Sequence, residues 1–485
     1  MTPASEAAAL SPVIVWFRRD LRLSDNHALA AAVSSGRPVI ALFILESGND
    51  GALPYGAAQA WWLHHSLAAL AKRIEHLGGR LVLRRGPAAE ALPAIIGETG
   101  AAAVHWNRRH DPDGIRIDSA LKATFRVDGI EVHSFAGQLL HDPSRLKTAT
   151  GGSYKVYTPF WRALSADGGP DTPIDAPSHI QSPSSPPSSD RLEDWRLLPK
   201  NPDWASRFAT VWTPGEEAAQ ERLRTFVELR RDGYGHDRDF PALDGTSRLS
   251  PHLAFGEISP AQAWQAAWLG TGTDGGDGPV AFRKELAWRD FSYHLLFHYP
   301  TLASQGLDRR FDAFEWRQDE AGFRAWTRGH TGYPLVDAGM RQLWVEGYMH
   351  NRVRMTAASF LIKHLLIDWR RGEAWFRDTL LDADPASNAA SWQWVAGCGA
   401  DAAPFFRIFN PVLQGEKFDS DGAYVRKYVP ELARLPARYI HRPFEAPKAI
   451  LREAGVSLGQ TYPEPIVEHR AARDRALAAF AAIKG

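Results

Sequence analysis

Blocks of apolar and mixed positions alternate over the first 135 residues. Val13 to Phe17 is an apolar run of strand length, and Pro38 to Leu45, Arg80 to Leu83, Ala102 to Trp106 and Ile130 to Phe135 are four more. Helical patterns lie between them. Asp25 stands as a cap for a helix of small residues through Ser34, and Ala58 to Leu77 carries Trp62, Leu63, Leu67, Leu70 and Ile74 at helical spacing. Ala88 to Thr99 and Ile115 to Phe125 complete the set. Unbroken apolar strands separated by helices predict a doubly wound parallel sheet in an α/β N-terminal domain, residues 1–135. No Gly-x-Gly-x-x-Gly follows the first strand; the turn there is Phe17-Arg18-Arg19-Asp20-Leu21-Arg22-Leu23.

The pattern then changes. Residues 136–205 are assigned to a long linker, because Ala166 to Asp190 is rich in Gly, Pro and Ser and cannot bury a core. From about Gly215 the periodicity is helical to the end, with helices expected over Glu217–Arg231, Pro260–Leu269, Ala281–Phe297, Ala321–Arg328, Leu335–Glu346, Val353–Trp369 and Gly372–Leu380. Residues 206–485 therefore read as an all-α domain.

Composition narrows the class. The chain has 485 residues, 44% hydrophobic and 23% charged, as in an ordinary globular protein. No apolar stretch is long enough to span a bilayer, and residues Met1 to Pro12 lack the layout of a signal peptide, so the cytoplasm is the expected compartment. The single cysteine, Cys398, excludes a disulfide scaffold and any multi-thiolate metal site. Basic and acidic residues balance at 56 each, so contact with nucleic acid has to come from a local patch.

Four clusters carry candidate chemistry. Tyr234-Gly235-His236-Asp237-Arg238 with Thr246-Ser247-Arg248-Leu249-Ser250 offers hydroxyl and backbone donors suited to phosphate, or else a capping and turn cluster. Glu285, Trp288 and Arg289 share a helix face at i, i+3 and i+4: a carboxylate beside an indole for a flat ligand, or a Glu–Arg surface pair with a core Trp. Asn351, Arg354 and Met355 line another face. Asp382 and Asp384 precede a helix holding Asn388, Trp392 and Trp394. Two carboxylates are too few for a hard-cation site, so no metal is expected and an ion pair with Arg354 or Arg289 is the alternative. The run Asp401 to Pro411 follows.

Together these clusters resemble the photolyase/cryptochrome family, over nearly the whole chain, from the Phe17 to Leu23 turn to Gly415-Glu416-Lys417-Phe418-Asp419. The resemblance implies an antenna domain joined to a helical domain that holds FAD. It matches Tyr234, Thr246, Ser247, Leu249 and Ser250 to the diphosphate site, and Arg289, Arg354, Asp382 and Asp384 to the flavin and ribose surroundings. Asn388 matches the position facing flavin N5. Trp392, Trp369 and Trp316 match an electron relay, where indole serves because its large π system is easily oxidised. Glu285, Trp288, Asn351, Met355 and Trp394 match the substrate pocket, and Arg238, Arg352 and Arg407 match contacts to DNA phosphates or the pocket rim.

Within the family, the residues favour a cyclobutane pyrimidine dimer photolyase acting as a monomer on UV-damaged DNA. Asn351 and Met355 replace the histidines expected of a (6-4) photolyase, and one cysteine excludes the iron–sulfur branch. A cryptochrome-like blue-light photoreceptor with the same FAD and relay is the alternative. An α/β nucleotide-binding protein outside the family is more distant. Tyr348 stands where the family commonly has Trp. Trp106-Asn107-Arg108-Arg109-His110-Asp111-Pro112 resembles the plant-cryptochrome-like bacterial branch, for which 5,10-methenyltetrahydrofolate is favoured over 8-hydroxy-deazaflavin as antenna chromophore.

Overall fold

The computed structural model describes residues 10–46, 55–271, 276–402 and 406–483. The start of the chain up to residue 9, and Ala403, Pro404 and Phe405 of the Asp401 to Pro411 run, lie outside them.

Five parallel strands form one sheet in the order β3-β2-β1-β4-β5: β1 Val13–Phe17, β2 Val39–Leu45, β3 Leu81–Arg85, β4 Ala103–Asn107 and β5 Glu131–Phe135. β1 is central and buried throughout. Its alternating side chains feed two cores. Val13, Val15 and Phe17 pack with the helix Ala57–His76, while Ile14 and Trp16 pack with Leu92, Ile95, Leu121 and Phe125 on the other face. The doubly wound reading holds. The first cap differs: Asn26, not Asp25, caps helix His27–Ser34 by accepting from the Leu29 N–H, and Asp25 sits at φ 51° in the turn before it. Asn can cap from an extended backbone, whereas a residue already turned left-handed cannot.

The stretch between the domains holds a helix of its own, Tyr157–Ala166. Tyr157, Phe160 and Leu164 join a core with Phe226 of helix Glu216–Leu229 and Phe282 and Phe291 of helix Asp277–His298. A second helical core gathers Pro334–Glu346, Asn351–Ser359, Trp369–Thr379 and Pro385–Ala396. The helix expected over Val353–Trp369 stops short, and the one expected from Gly372 starts earlier. An α-helix ends at Ser359, a π turn covers Phe360–His364, Leu366 turns to φ 55°, and Asp368 caps a new helix that begins at Trp369. Phe360 to Ile367 is buried on all sides, so its apolar run carries no period from which a break could be read.

The Phe17 to Leu23 turn joins the two halves. The buried Arg22 guanidinium donates to the carbonyls of Gly256 at 3.0 Å, Asp25 at 2.7 Å and Gly137 at 2.9 Å. Leu21 N–H donates to the Phe255 carbonyl. Gly256 ends the helix Ser250–Phe255 at φ 65°, with the Arg19 carbonyl so close that a Cβ has no room. The turn therefore holds the C-terminal end of the helix that Ser250 begins.

Candidate active site

The site is built where helix Asp277–His298 faces helix Pro385–Ala396. Asp384 caps the latter, its Oδ1 accepting from the Ala386 and Ser387 N–H groups, while Oδ2 accepts from the Tyr293 hydroxyl at 2.8 Å. Gln138 in turn donates to that hydroxyl at 3.2 Å, and its carbonyl accepts from Arg289 at 2.8 Å. Asp382 is paired with Arg354 at 2.8 Å and accepts from Ser250 Oγ at 2.6 Å on the same oxygen. Its other oxygen, Oδ1, is buried without a protein partner. Burial alone would lower the Arg354 pKa; the Asp382 carboxylate outweighs it and leaves the net shift upward. The two carboxylates are thus committed to Arg354 and Ser250 on one side and to Tyr293 and a helix cap on the other. Asn388, one turn on, donates through Nδ2 to Glu373 Oε1 at 2.8 Å and to the Glu373 carbonyl at 3.0 Å.

A second cluster lies on the outer part of helix Asp277–His298. Glu285 is ion-paired with Arg238, and the Trp288 ring stacks on Tyr157 with centroids 3.7 Å apart and planes 5° from parallel. Arg238 also lies over the Tyr234 ring at 5.4 Å. The i,i+4 reading of Glu285 with Arg289 fails here. Arg289 turns inward to Gln138, and the partner of Glu285 is 47 residues away. Arg352 pairs with Asp239 and covers the Phe418 ring at 4.5 Å.

Two family models match the chain: DNA photolyase over residues 13–178 and FAD binding domain of DNA photolyase over residues 282–482. The deoxyribodipyrimidine photo-lyase of Agrobacterium fabrum is 61% identical over 474 residues, covering 98% of each chain. The chain belongs to the photolyase/cryptochrome family. A crystal structure of a bacterial class III photolyase from Agrobacterium tumefaciens superposes with a TM-score of 0.95 at 60% identity, covering 99% of this chain and 100% of that one. Cryptochrome-1 of Arabidopsis thaliana is 39% identical, over 94% of this chain and 68% of its own.

The structure leaves the other candidate residues in differing surroundings. Tyr234 is buried, while Thr246 and Ser247 are half-buried on the loop ahead of Ser250. Ser247 Oγ accepts from the Leu249 N–H. Asn351 is exposed at the first turn of its helix, with Met355 half-buried one turn on. Trp394 is half-buried and donates to the Asp401 carbonyl at 3.0 Å. Arg407 is exposed. Trp392 and Trp369 are buried in one core, and Trp316 packs against it. The aromatic neighbours of Trp392 are Phe376, at 5.0 Å, and Trp326, at 6.2 Å. The sequence reading missed Trp326, Tyr157, Gln138, Tyr293 and Glu373. Each is held in place by a partner beyond the reach of a single helix turn, from 15 residues away for Glu373 to 155 for Gln138. For Tyr157 a signal was present: the aromatic run Tyr154-Lys155-Val156-Tyr157-Thr158-Pro159-Phe160-Trp161 is ill suited to a bare linker.

The residues present fit FAD. They supply a buried unpaired carboxylate oxygen beside Ser250, two inward arginines and an amide whose donor end is already used. The segment that carries the antenna resemblance is committed to the protein itself. Trp106 Nε1 donates to Asp118, Asn107 Nδ2 to Asp20 and Asn26, and Arg109 pairs with Asp111. Those contacts fix the segment at the end of the sheet. Among the described residues no helix is long and apolar enough to cross a membrane.

Proposed function

We propose that the chain is a deoxyribodipyrimidine photo-lyase that splits cyclobutane pyrimidine dimers in DNA under blue or near-UV light. FAD is held between the Tyr234 and Thr246–Ser250 segment and the group Arg289, Arg354, Asp382, Asp384 and Asn388. When bound and reduced, FAD supplies a light-driven electron to the dimer and receives it back. The protein's residues provide the rest. Trp288 and Trp394 flank a flipped-out dimer, and base–aromatic stacking contributes on the order of 1–3 kcal/mol per base. Glu285 accepts from an imide N–H or, when protonated, donates to a carbonyl, and Arg238 beside it offers a cation where negative charge develops. Asn351 and Met355 complete the pocket wall. Trp392, Trp369 and Trp316 pass an electron inward. Arg352 and Arg407, with Arg238, contact DNA phosphates at the rim.

The observation that carries this reading is the flat Trp288–Tyr157 stack beside the Glu285–Arg238 pair. It is a rigid platform of the size of a base next to a hydrogen-bonding carboxylate. A monomer suffices for this reading, since one chain supplies every residue assigned to the site, and the cytoplasm is the proposed compartment. An antenna chromophore, 5,10-methenyltetrahydrofolate ahead of 8-hydroxy-deazaflavin, rests on the branch likeness and is tested by the absorbance spectrum before and after denaturation. Titration with intact and UV-irradiated duplex at two salt concentrations tests the repair reading. Raised salt should weaken both affinities and preserve a preference for the irradiated duplex. Equal affinities at both salts would leave the photoreceptor alternative.

A further inference from the structure

Behind the Thr246–Ser250 loop lies a cleft of about 360 Å³ that, Arg248 of that loop apart, none of the residues assigned above lines. Its walls are Arg222 on helix Glu216–Leu229, Asp244 and Arg248 on the loop, and Tyr424, Lys427 and Tyr428 on helix Ala423–Tyr428. The charges in it do not balance. Asp244 is the one carboxylate among the lining residues; it is taken by Arg230 at 2.6 Å and reaches Arg248 only at 3.9 Å. Arg222 has no salt bridge among the described residues. Its guanidinium lies over the Trp212 ring at 5.1 Å. Arg248, held at φ 49°, lies over the Tyr348 ring at 5.6 Å. Lys427 stands 3.6 Å from Glu346 Oε1, an oxygen that already accepts from the Tyr428 hydroxyl at 2.6 Å. A guanidinium held by a ring face keeps its N–H donors for a further partner. A left-handed non-glycine residue in a loop is a strained placement that some contact has to reward.

We propose that this cleft is a second anion site that takes a phosphate group. Two guanidinium forks and an ammonium converging on one cleft match the oxygens of a phosphate, which accept several charge-assisted hydrogen bonds at once. The Tyr424 hydroxyl is committed to Gln342 at 2.7 Å and that of Tyr428 to Glu346, so the cations, not the phenols, make the contacts. Two sources carry such a group: a free phosphate compound and the DNA backbone. The second is favoured by position. The loop follows Phe240, whose ring meets Phe418 at 6.4 Å, and Phe418 is covered by Arg352 of the proposed DNA rim.

The test uses the FAD-loaded protein. Calorimetric titration with inorganic pyrophosphate should give one site per chain, and Arg222→Gln and Lys427→Gln should each weaken it about tenfold, with flavin content unchanged. Lys427 is exposed on its helix, so its variant stands even if Arg222→Gln fails to fold. A second arm titrates undamaged duplex at several salt concentrations. If the backbone is the source, Arg222→Gln lowers the salt slope by about one and pyrophosphate competes with duplex. If the source is a free compound, duplex binding is the same in both proteins while pyrophosphate still binds. Only the duplex arm rests on the repair reading; loss of the preference for irradiated DNA leaves the pyrophosphate arm standing. Absence of pyrophosphate binding, or binding that neither variant changes, overturns the proposal.

Discussion

Asn388 gives both of its amide hydrogens' available contacts to Glu373, one to the side-chain oxygen at 2.8 Å and one to the main-chain carbonyl at 3.0 Å. Both partners are acceptors when Glu373 is ionised, so the amide can sit only one way round and its own carbonyl faces the opposite side. With flavin bound as proposed, that carbonyl would accept from N5–H and so would favour the reduced cofactor. Glu373 is a positioning residue in this scheme. Glu373→Gln presents an amide that can donate as well as accept, and the orientation of Asn388 is no longer enforced. The flavin midpoint potential should fall by about 20 mV, the worth of roughly one net hydrogen bond in a two-electron couple. A spectroelectrochemical titration reads it, and an unchanged potential would remove Glu373 from this role.

The Trp288–Tyr157 stack makes a separate prediction. Trp288→Ala removes the platform and should weaken binding to dimer-containing duplex by roughly tenfold or more, with intact duplex hardly affected. Tyr157→Leu keeps the indole but removes the ring that holds it flat, and should give a smaller loss in the same direction. Equal losses on damaged and intact DNA would mean that these residues act on the fold and not on the lesion.

The relay is tested at Trp392. Phe is far harder to oxidise than Trp, so Trp392→Phe should stop photoreduction of oxidised FAD while chemically reduced enzyme still repairs. Gly372 supplies a milder probe. It lies against the Trp392 ring with no space for a Cβ, so Gly372→Ala should displace that ring and slow photoreduction without abolishing it. Transient absorption reads both variants. Wild-type kinetics in Trp392→Phe would require an entry point other than this ring.

Much of the fold was legible because its signals are local. Val13–Phe17 and Val39–Leu45 are buried on both faces, and an unbroken apolar run states this directly. The site residues were legible through the family resemblance, but their partners were not. Helical spacing offered Arg289 to Glu285, whereas packing gave it Arg238; Arg289 was drawn to Gln138, in a segment read as linker. Tyr157 has its meaning only with Trp288 on top of it and the Lys284 carbonyl accepting its hydroxyl proton at 2.7 Å. A period of 3.6 cannot encode contacts made across 47 residues, as for Glu285 and Arg238, or 151, as for Arg289 and Gln138. The break at Phe360–His364 was hidden for the opposite reason: burial on every side erases the period itself.

Asp290 links the site's surroundings to pH. Its carboxyl is buried next to Arg289; Oδ1 accepts from the His141 N–H at 3.1 Å and Oδ2 has no partner. Burial pushes its pKa up to about 7, only partly opposed by the Arg289 charge and the backbone N–H groups. The folded chain therefore holds a proton that the unfolded chain, titrating near 4, has released. A raised folded pKa means stability that is complete below about pH 4 and is lost as pH rises through about 7. Between about pH 6 and pH 8 this single group should cost the fold about 1 kcal/mol. Other groups titrate in the same range, so the comparison is with Asp290→Asn, which cannot ionise. Urea melts at the two pH values should show a larger loss for wild type than for Asp290→Asn, by about that amount. Equal losses in the two proteins would place the Asp290 pKa outside this window, and a larger loss in the variant would reverse the sign of the argument.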